Sequence, residues 1–457
     1  MLFSSLLFLF RFIPIFFLCY FLVPKKFRNI VLFFGSLFFY AWGEPRFVIL
    51  ILISILVNYI AGLFIERYDK QDKIRRIILI ISIAYNIGSL IWFKYFNFII
   101  DNVNQIFNTE INLFDVTLPL GISFYTFQIM SYTIDVYRRT TKAEKSYINL
   151  GAYLCMFPQL VAGPIVMYTE VAEGLKERTY QLKNIESGLK IFVLGLGSKV
   201  LIANNVGGLW NDIAEIGYGN ISMPLAWLGI LAFSLQIYFD FNGYSLMAIG
   251  LGRMLGFEFP QNFNYPYISK SITEFWRRWH ITLSGWFKDY LYIPLGGNRK
   301  GHVRTYFNLF IVWSVTGLWH GANWNFILWG LYFFVLLSIE KLFLKQWLNK
   351  SNIIARIYTI TAILISWLIF SITSLEDIKI YFGRLFSFSN GTDWIYYLRN
   401  YGLVLLLGII LSTPILKAWY QKREKKVTGI LLLTVVFLLS IAYLVDAAYN
   451  PFLYFRF

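Results

Sequence analysis

FVILILISILVNYIAGLFI, from Phe47 to Ile65, runs straight into ERYDKQDKIRR, from Glu66 to Arg76. An unbroken apolar stretch of this length matches the ~20 residues that carry an α-helix across the hydrocarbon core of a bilayer. The charged stretch holds five basic residues, Arg67, Lys70, Lys73, Arg75 and Arg76, against three acids, Glu66, Asp69 and Asp72. Cationic loops are retained on the cytoplasmic side, so the pair reads as a membrane span that delivers its C-terminal end inside.

The same alternation extends in both directions. Upstream, residues 2–23 read as a first helix ending at Pro24, with Lys25, Lys26 and Arg28 inside and Met1 outside. No Lys or Arg precedes that run and Arg11 interrupts it, unlike the basic start of a cleavable signal peptide. A second helix is expected near 29–42. Downstream, spans near 77–94 and 118–136 end at Arg138, Arg139, Lys142 and Lys145, inside again. Residues 147–163 are apolar but end in Pro158-Gln159-Leu160-Val161-Ala162-Gly163-Pro164. Such helix-breaking backbone survives at membrane depth only when protein buries it or it lines a cavity, so a re-entrant or broken segment is expected. Spans near 186–210 and 224–250 follow, then a polar, aromatic stretch over 252–304 on the cytoplasmic side. A pair over 305–340 and spans near 353–372, 395–416 and 428–447 complete the chain. Lys422, Arg423, Lys425 and Lys426 hold the last loop inside, which leaves 448–457 as an extracytoplasmic tail.

Composition agrees. Of 457 residues, 58% are hydrophobic and 14% charged, against about one quarter charged in soluble domains. A soluble enzyme, a secreted disulfide scaffold and a disordered chain are excluded. The net charge of +16 belongs to membrane-flanking loops and calls for no nucleic acid. Cys19 and Cys155 lie in apolar stretches without metal-ligand spacing, so no metal is expected. The expected fold is an all-α polytopic membrane protein of about twelve crossings, a single domain over 1–457.

The chemistry is concentrated in few residues. There are three histidines: His280, His302 and His320. His302, in the loop Gly296-Gly297-Asn298-Arg299-Lys300-Gly301-His302, reads as a solvated residue. His320 lies in Gly317-Leu318-Trp319-His320-Gly321-Ala322-Asn323-Trp324, inside an otherwise apolar run. An ionisable residue there is either functional or a neutral hydrogen-bonding group between helices, with Asn323 as a structural polar neighbour. Kept neutral among aromatic rings, its imidazole is in the form a general base needs. His280 ends Ile272-Thr273-Glu274-Phe275-Trp276-Arg277-Arg278-Trp279-His280, which reads as an interfacial helix capped by Thr273. Phe275, Trp276 and Trp279 would face the bilayer and Arg277 and Arg278 water, with His280 either functional or on the polar rim. Arg277, Arg278, Lys288, Arg299 and Lys300 are either ordinary anchors or a site for ligand phosphates. Gly296 and Gly297 permit close backbone approach. Asp240, in Tyr238-Phe239-Asp240-Phe241-Asn242-Gly243-Tyr244-Ser245, faces the protein interior and reads as a structural polar residue that needs a partner.

Six blocks together resemble the membrane-bound O-acyltransferase superfamily. They are Asp240 to Ser245, Gly250 to Gly256 (GLGRMLG), Pro260 to Pro266 (PQNFNYP), Phe275 to His280, Tyr290 to Arg299 (YLYIPLGGNR) and Leu318 to Ala322. The core of the likeness runs over 119–330, and its nearest branch is that of alginate and peptidoglycan O-acetyltransferase membrane subunits. The resemblance implies a ring of helices with re-entrant segments around a central tunnel, His320 as catalytic residue, and His280 as a second one near the cytoplasmic mouth. It implies acetyl-CoA as donor and no permanently bound cofactor, and on our reading of the basic and glycine residues Arg277, Arg278, Gly296, Gly297 and Arg299 would meet the donor's phosphates. It further implies a bacterial inner-membrane location, a periplasmic SGNH-hydrolase-like partner and a cell-envelope polysaccharide acceptor. Peptidoglycan is the expected polymer; alginate or another exopolysaccharide is the alternative. The ending Phe452-Leu453-Tyr454-Phe455-Arg456-Phe457 is similar to the Phe-x-Tyr-x-x-Phe ending of cell-wall acylation systems. That likeness makes Tyr454 a candidate acyl relay, the other reading being an aromatic anchor in membrane lipid. A transporter or flippase using Asp240, His280 and His320 as a polar path also fits the hydropathy. A non-enzymatic scaffold leaves both tryptophan–histidine motifs without a purpose.

Overall fold

A computed structural model describes all residues except 179, 389–390, 425, 447–452 and 454–457. The regular structure of the described residues is helical. They fall into two compact units, one of residues 1–192 with 246–260, the other of residues 193–245 with 261–457.

Seven helices among the described residues are long and apolar enough to cross a membrane. They are Pro45–Arg67, Asp72–Phe107, Met223–Met254, Trp324–Leu348, Asn352–Ser371, Asp393–Leu411 and Val427–Asp446. The protein is thus polytopic and all-helical, and the gap between seven and about twelve has specific causes. Arg28–Gly43 and Ile122–Tyr137 are 16 residues each, ~24 Å of helix against a core of ~30 Å. Gly301–His320 has 20 residues, but its first turns carry His302, Arg304, Thr305 and Asn308. The stretch expected near 186–210 is Leu182–Gly197 continued through a π-helical turn, Ser198–Ala203, into Asn204–Ile216. Phe8–Leu22 is apolar but short.

Burial separates helices with different duties. In Met223–Met254 78% of the spanning window is buried, against 11% in Asp393–Leu411 and in Val427–Asp446. The first is walled by protein; the other two present their apolar surface outward, as lipid-facing helices do.

In the first unit, loops assigned to the same membrane side meet. Lys145 pairs with Glu66 at 2.7 Å and Arg139 with Asp69 at 2.8 Å, so 66–76 and 138–145 occupy one end. Asn58, on Val48–Arg67, accepts from Ser82 and Asn86 on Asp72–Leu90, each at 2.8 Å. Buried amides paired in this way bind two apolar helices that have no hydrophobic drive to associate within lipid. The proline-rich stretch is broken, as its residues dictate. Tyr147–Cys155 ends at Met156, Phe157–Leu160 forms one short turn, and the backbone continues without helix to Met167. Protein buries this run, and Val166 O accepts from the Tyr153 hydroxyl at 3.0 Å.

Five π-helical turns occur among the described residues: Phe8–Phe12, Ile91–Tyr95, Ser198–Ala203, Lys288–Tyr292 and Glu340–Leu344. Each carries a charged residue, Arg11, Lys94, Lys199, Lys288 with Asp289, and Glu340 with Lys341. A π-turn shifts the register of everything after it, and such turns gather at functional positions. Two of these charges, Lys199 and Glu340, are buried in the second unit.

Candidate active site

The second unit brings both motif histidines to one aromatic residue. His280 lies 6.0 Å from Trp319 between ring centroids, and Trp319 lies 5.0 Å from His320. Both histidines are buried, His280 at 0% and His320 at 4% exposure.

His280 is held by an unusual local path. Ile272–Arg278 is a helix of 7 residues. Its cap is Ser271, whose hydroxyl accepts from Glu274 N at 3.0 Å, and not the expected Thr273. Thr273 instead donates from its hydroxyl to Glu340 at 2.7 Å. The Glu340 carboxylate also accepts from Ile272 N at 2.5 Å and Thr273 N at 2.9 Å. Negative charge at a helix N-terminus satisfies orphan amides and complements the dipole. Phe275, Trp276 and Trp279 do not face the bilayer. They are buried against protein, with Trp276 4.7 Å from Trp313 and Trp279 4.7 Å from Trp367. The amphipathic pattern was real, but its apolar face is covered by the helices around it.

The helix stops at Arg278, Trp279 is extended, and His280 takes a left-handed backbone, φ +43°. That conformation is uncommon outside glycine, and it turns the imidazole away from the polar rim into the interior. Two backbone bonds enforce the turn: Asn264 N donates to Arg278 O at 2.9 Å, and Ile281 N to Asn262 O at 3.0 Å. The His280 Nδ1 is 3.0 Å from Asn262 Oδ1, which also accepts from the Thr282 hydroxyl at 2.9 Å. Asn262 Nδ2 donates to Ser245 Oγ at 3.2 Å, which orients the amide. Phe241 packs edge-on against the imidazole at 4.7 Å. Burial pushes the His280 pKa down to about 3, so the ring stays neutral at physiological pH.

His320 is the last residue of Gly301–His320. Trp329 stands 4.8 Å and Phe370 5.2 Å from its ring, both edge-on. The next residue must be glycine, because a Cβ on Gly321 would overlap the Phe326 ring. Asn323 caps Trp324–Ile339 through its side chain, which accepts from Asn325 N at 3.4 Å. Asn325 in turn donates to the carbonyls of Ile369 and Phe370, fixing one wall of the His320 cage.

The other expected residues divide. Arg277 and Arg299 are exposed, while Arg278 is held by Glu274 at 2.9 Å and reaches Asn264 O. Gly296 and Gly297 have φ of +109° and +55°, and Asn308 donates to Gly297 O at 2.8 Å. Asp240 is buried and pairs with Lys199 at 2.6 Å. His302 is exposed. Tyr454 lies outside the described residues. Asn262, Trp319 and Glu340 were missed as positioning groups, and so was Lys199, whose lone charge in an apolar run was a readable signal.

Two buried imidazoles, each against Trp319 and lined by aromatic rings, offer hydrogen-bonding and proton-handling nitrogens in a water-poor site. Comparison with known proteins agrees with that chemistry. The profile of the membrane-bound O-acyltransferase family matches residues 143–375, and the chain belongs to that family: it is a multi-pass membrane acyltransferase. It is 38% identical to a probable alginate O-acetylase AlgI of Pseudomonas putida over 100% of both chains. It is 40% identical to that of Pseudomonas syringae over 93% of this chain and 84% of the relative. A peptidoglycan O-acetyltransferase of Helicobacter pylori is 36% identical over 82% of this chain and 78% of its own. Family membership sets aside the transporter and scaffold readings.

Proposed function

We propose that the protein moves an acetyl group from cytoplasmic acetyl-CoA, across the bacterial inner membrane, toward a cell-envelope polysaccharide. The observation that carries this reading is the convergence of His280 and His320 on Trp319. The exposed Arg277 and Arg299, with the Gly296-Gly297 turn, receive the CoA phosphates. His320 takes the proton of the acceptor hydroxyl as its oxygen attacks the thioester carbonyl. The carbon–sulfur bond breaks, the thiolate recovers a proton, and an acetyl ester and CoA result. Tyr454 is the first acceptor, and a periplasmic SGNH-hydrolase-like partner takes the ester onward. The whole chain acts as one catalytic domain, its shorter helices supplying the remaining crossings, with both termini outside.

The polymer is an exopolysaccharide of the alginate kind, in place of the peptidoglycan favoured by sequence. The alginate-named relatives of Pseudomonas putida and Pseudomonas syringae match 100% and 93% of the chain at 38% and 40% identity, against 82% at 36% for the peptidoglycan-named relative of Helicobacter pylori. The test uses protein in lipid nanodiscs with radiolabelled acetyl-CoA, comparing wild type, His320→Ala and Tyr454→Phe. Label on the wild-type protein that disappears in both variants is the expected result. Loss with His320→Ala alone moves the acceptor off Tyr454. Full labelling of His320→Ala at matched protein level overturns its role.

A further inference from the structure

We infer that the buried Lys199–Asp240 pair is a backbone clamp for the C-terminal segment, holding it at Leu453. The Asp240 carboxylate uses its two oxygens differently. Oδ1 faces Lys199 Nζ at 2.6 Å, and Oδ2 accepts the backbone N–H of Leu453 at 2.8 Å. Lys199 also donates to Asn204 Oδ1 at 2.8 Å. Asp240, Lys199 and Leu453 are 1%, 2% and 5% exposed.

A buried ion pair gains little over well-packed apolar residues of the same size, so glue between helices is a weak reason to keep one. A charged acceptor of fixed direction is a better one. The lysine holds one carboxylate oxygen, and the other makes a charge-assisted bond to an amide far along the chain. Two features aim the carboxylate. Lys199 sits in the π-helical turn Ser198–Ala203. Gly243, on the same helix as Asp240, lets that turn approach so closely that a Cβ there would come within 3.0 Å of Lys199 N.

The helix that grips the tail also builds the His280 wall. Phe241, next to Asp240, packs on the imidazole, and Ser245 orients the Asn262 that bonds it. Tyr454 follows Leu453 in sequence. Resting on the relay reading, the clamp sets the register of the segment that delivers the acceptor hydroxyl. Because it grips a backbone N–H, any residue at 453 that keeps that amide and the buried apolar volume should keep the clamp. Asp240 and Lys199 are positioning residues here.

The test is hydrogen–deuterium exchange of the C-terminal peptide in full-length protein in nanodiscs, run beside the acetyl-labelling assay. Leu453→Pro removes the N–H and leaves both charges, and Leu453→Met keeps both the N–H and the buried apolar volume. A double variant, Lys199→Met with Asp240→Leu, removes the clamp without orphaning a charge. The peptide is expected to exchange at least about tenfold faster in Leu453→Pro and in the double variant, with Leu453→Met close to wild type. Label on the tail should fall in the same two variants. Wild-type exchange in Leu453→Pro overturns the clamp, as does equal loss of protection in Leu453→Met. Tyr454→Phe separates the two ideas: wild-type polymer acetylation by that variant removes the relay, while the exchange data still decide the clamp.

Discussion

His280 Nδ1 and Asn262 Oδ1 lie 3.0 Å apart, and the direction of that bond fixes the tautomer. Asn262 donates to Ser245 through Nδ2 and accepts from Thr282 at Oδ1, so its oxygen faces the imidazole and Nδ1 carries the proton. Nε2 is then the lone-pair nitrogen of a neutral ring. It accepts a hydrogen bond, and does not polarise a carbonyl as an N–H donor would. If acetyl-CoA is the donor as proposed, His280 is placed to accept a hydrogen bond from it and not to polarise its carbonyl.

Asn262→Ala should therefore impair turnover without touching either histidine. The variant leaves the His280 Nδ1–H buried without its acceptor, at a cost of about 1–3 kcal/mol. If half of that appears in the barrier, kcat falls about two- to tenfold. Acetyl-CoA turnover at matched protein level checks this, and a wild-type rate would show that the tautomer does not matter to the reaction.

The acid limb of stability should report on the same ring. In the unfolded chain His280 titrates near 6.5, and in the native state burial lowers it to about 3. Between those values the unfolded state binds the extra proton, so stability is complete above about pH 6.5 and falls as pH drops toward 3. Thermal unfolding of wild type between pH 7 and 4 should be steeper than that of His280→Gln. Over pH 5–8 the rate should show no inflection from His280. Identical unfolding profiles for the two proteins would contradict the burial of a neutral ring.

Much of this was legible in the chain. Apolar runs separated by cationic loops gave the polytopic helical architecture, and the Lys145–Glu66 and Arg139–Asp69 pairs join loops that charge alone had placed on one side. His320, Asp240 and the broken proline segment were visible because polar or helix-breaking residues are costly in an apolar run. The surroundings of His280 were not visible. Periodicity registers that Phe275, Trp276 and Trp279 share a face, but not whether lipid or protein covers it. The left-handed turn at His280 depends on bonds from Asn262 and Asn264, which no local pattern announces. Glu340 reads as a loop charge after an apolar helix until Ile272 and Thr273 are brought to it.

Glu340→Ala tests that last contact. The carboxylate accepts three hydrogen bonds at the start of Ile272–Arg278, and bonds to a charged acceptor contribute about 1.5–3 kcal/mol each. The variant should lose about 3 kcal/mol overall, seen as a lower unfolding temperature. Turnover should fall further than stability explains, because the helix it anchors ends two residues before His280. Glu340→Gln, which keeps one acceptor oxygen, should fall between the two.

Gly317→Ala tests the packing behind His320. Gly301–His320 and Trp324–Ile339 cross so closely that a Cβ on Gly317 would overlap the Phe326 carbonyl, and one on Gly330 the Trp313 carbonyl. Both obstacles are backbone, so neither can swing aside as a side chain would, and overpacking of this kind costs about 1–3 kcal/mol. Separating the helices also moves Trp329, which is buried at 0% exposure 4.8 Å from the His320 ring. Gly317→Ala should thus lower the unfolding temperature and turnover together. A rate that stayed at the wild-type value in a destabilised protein would mean that the aromatic cage tolerates displacement. Gly285→Ala is the control, because nothing lies within 4 Å of a Cβ at that position, and both its stability and its rate should match wild type.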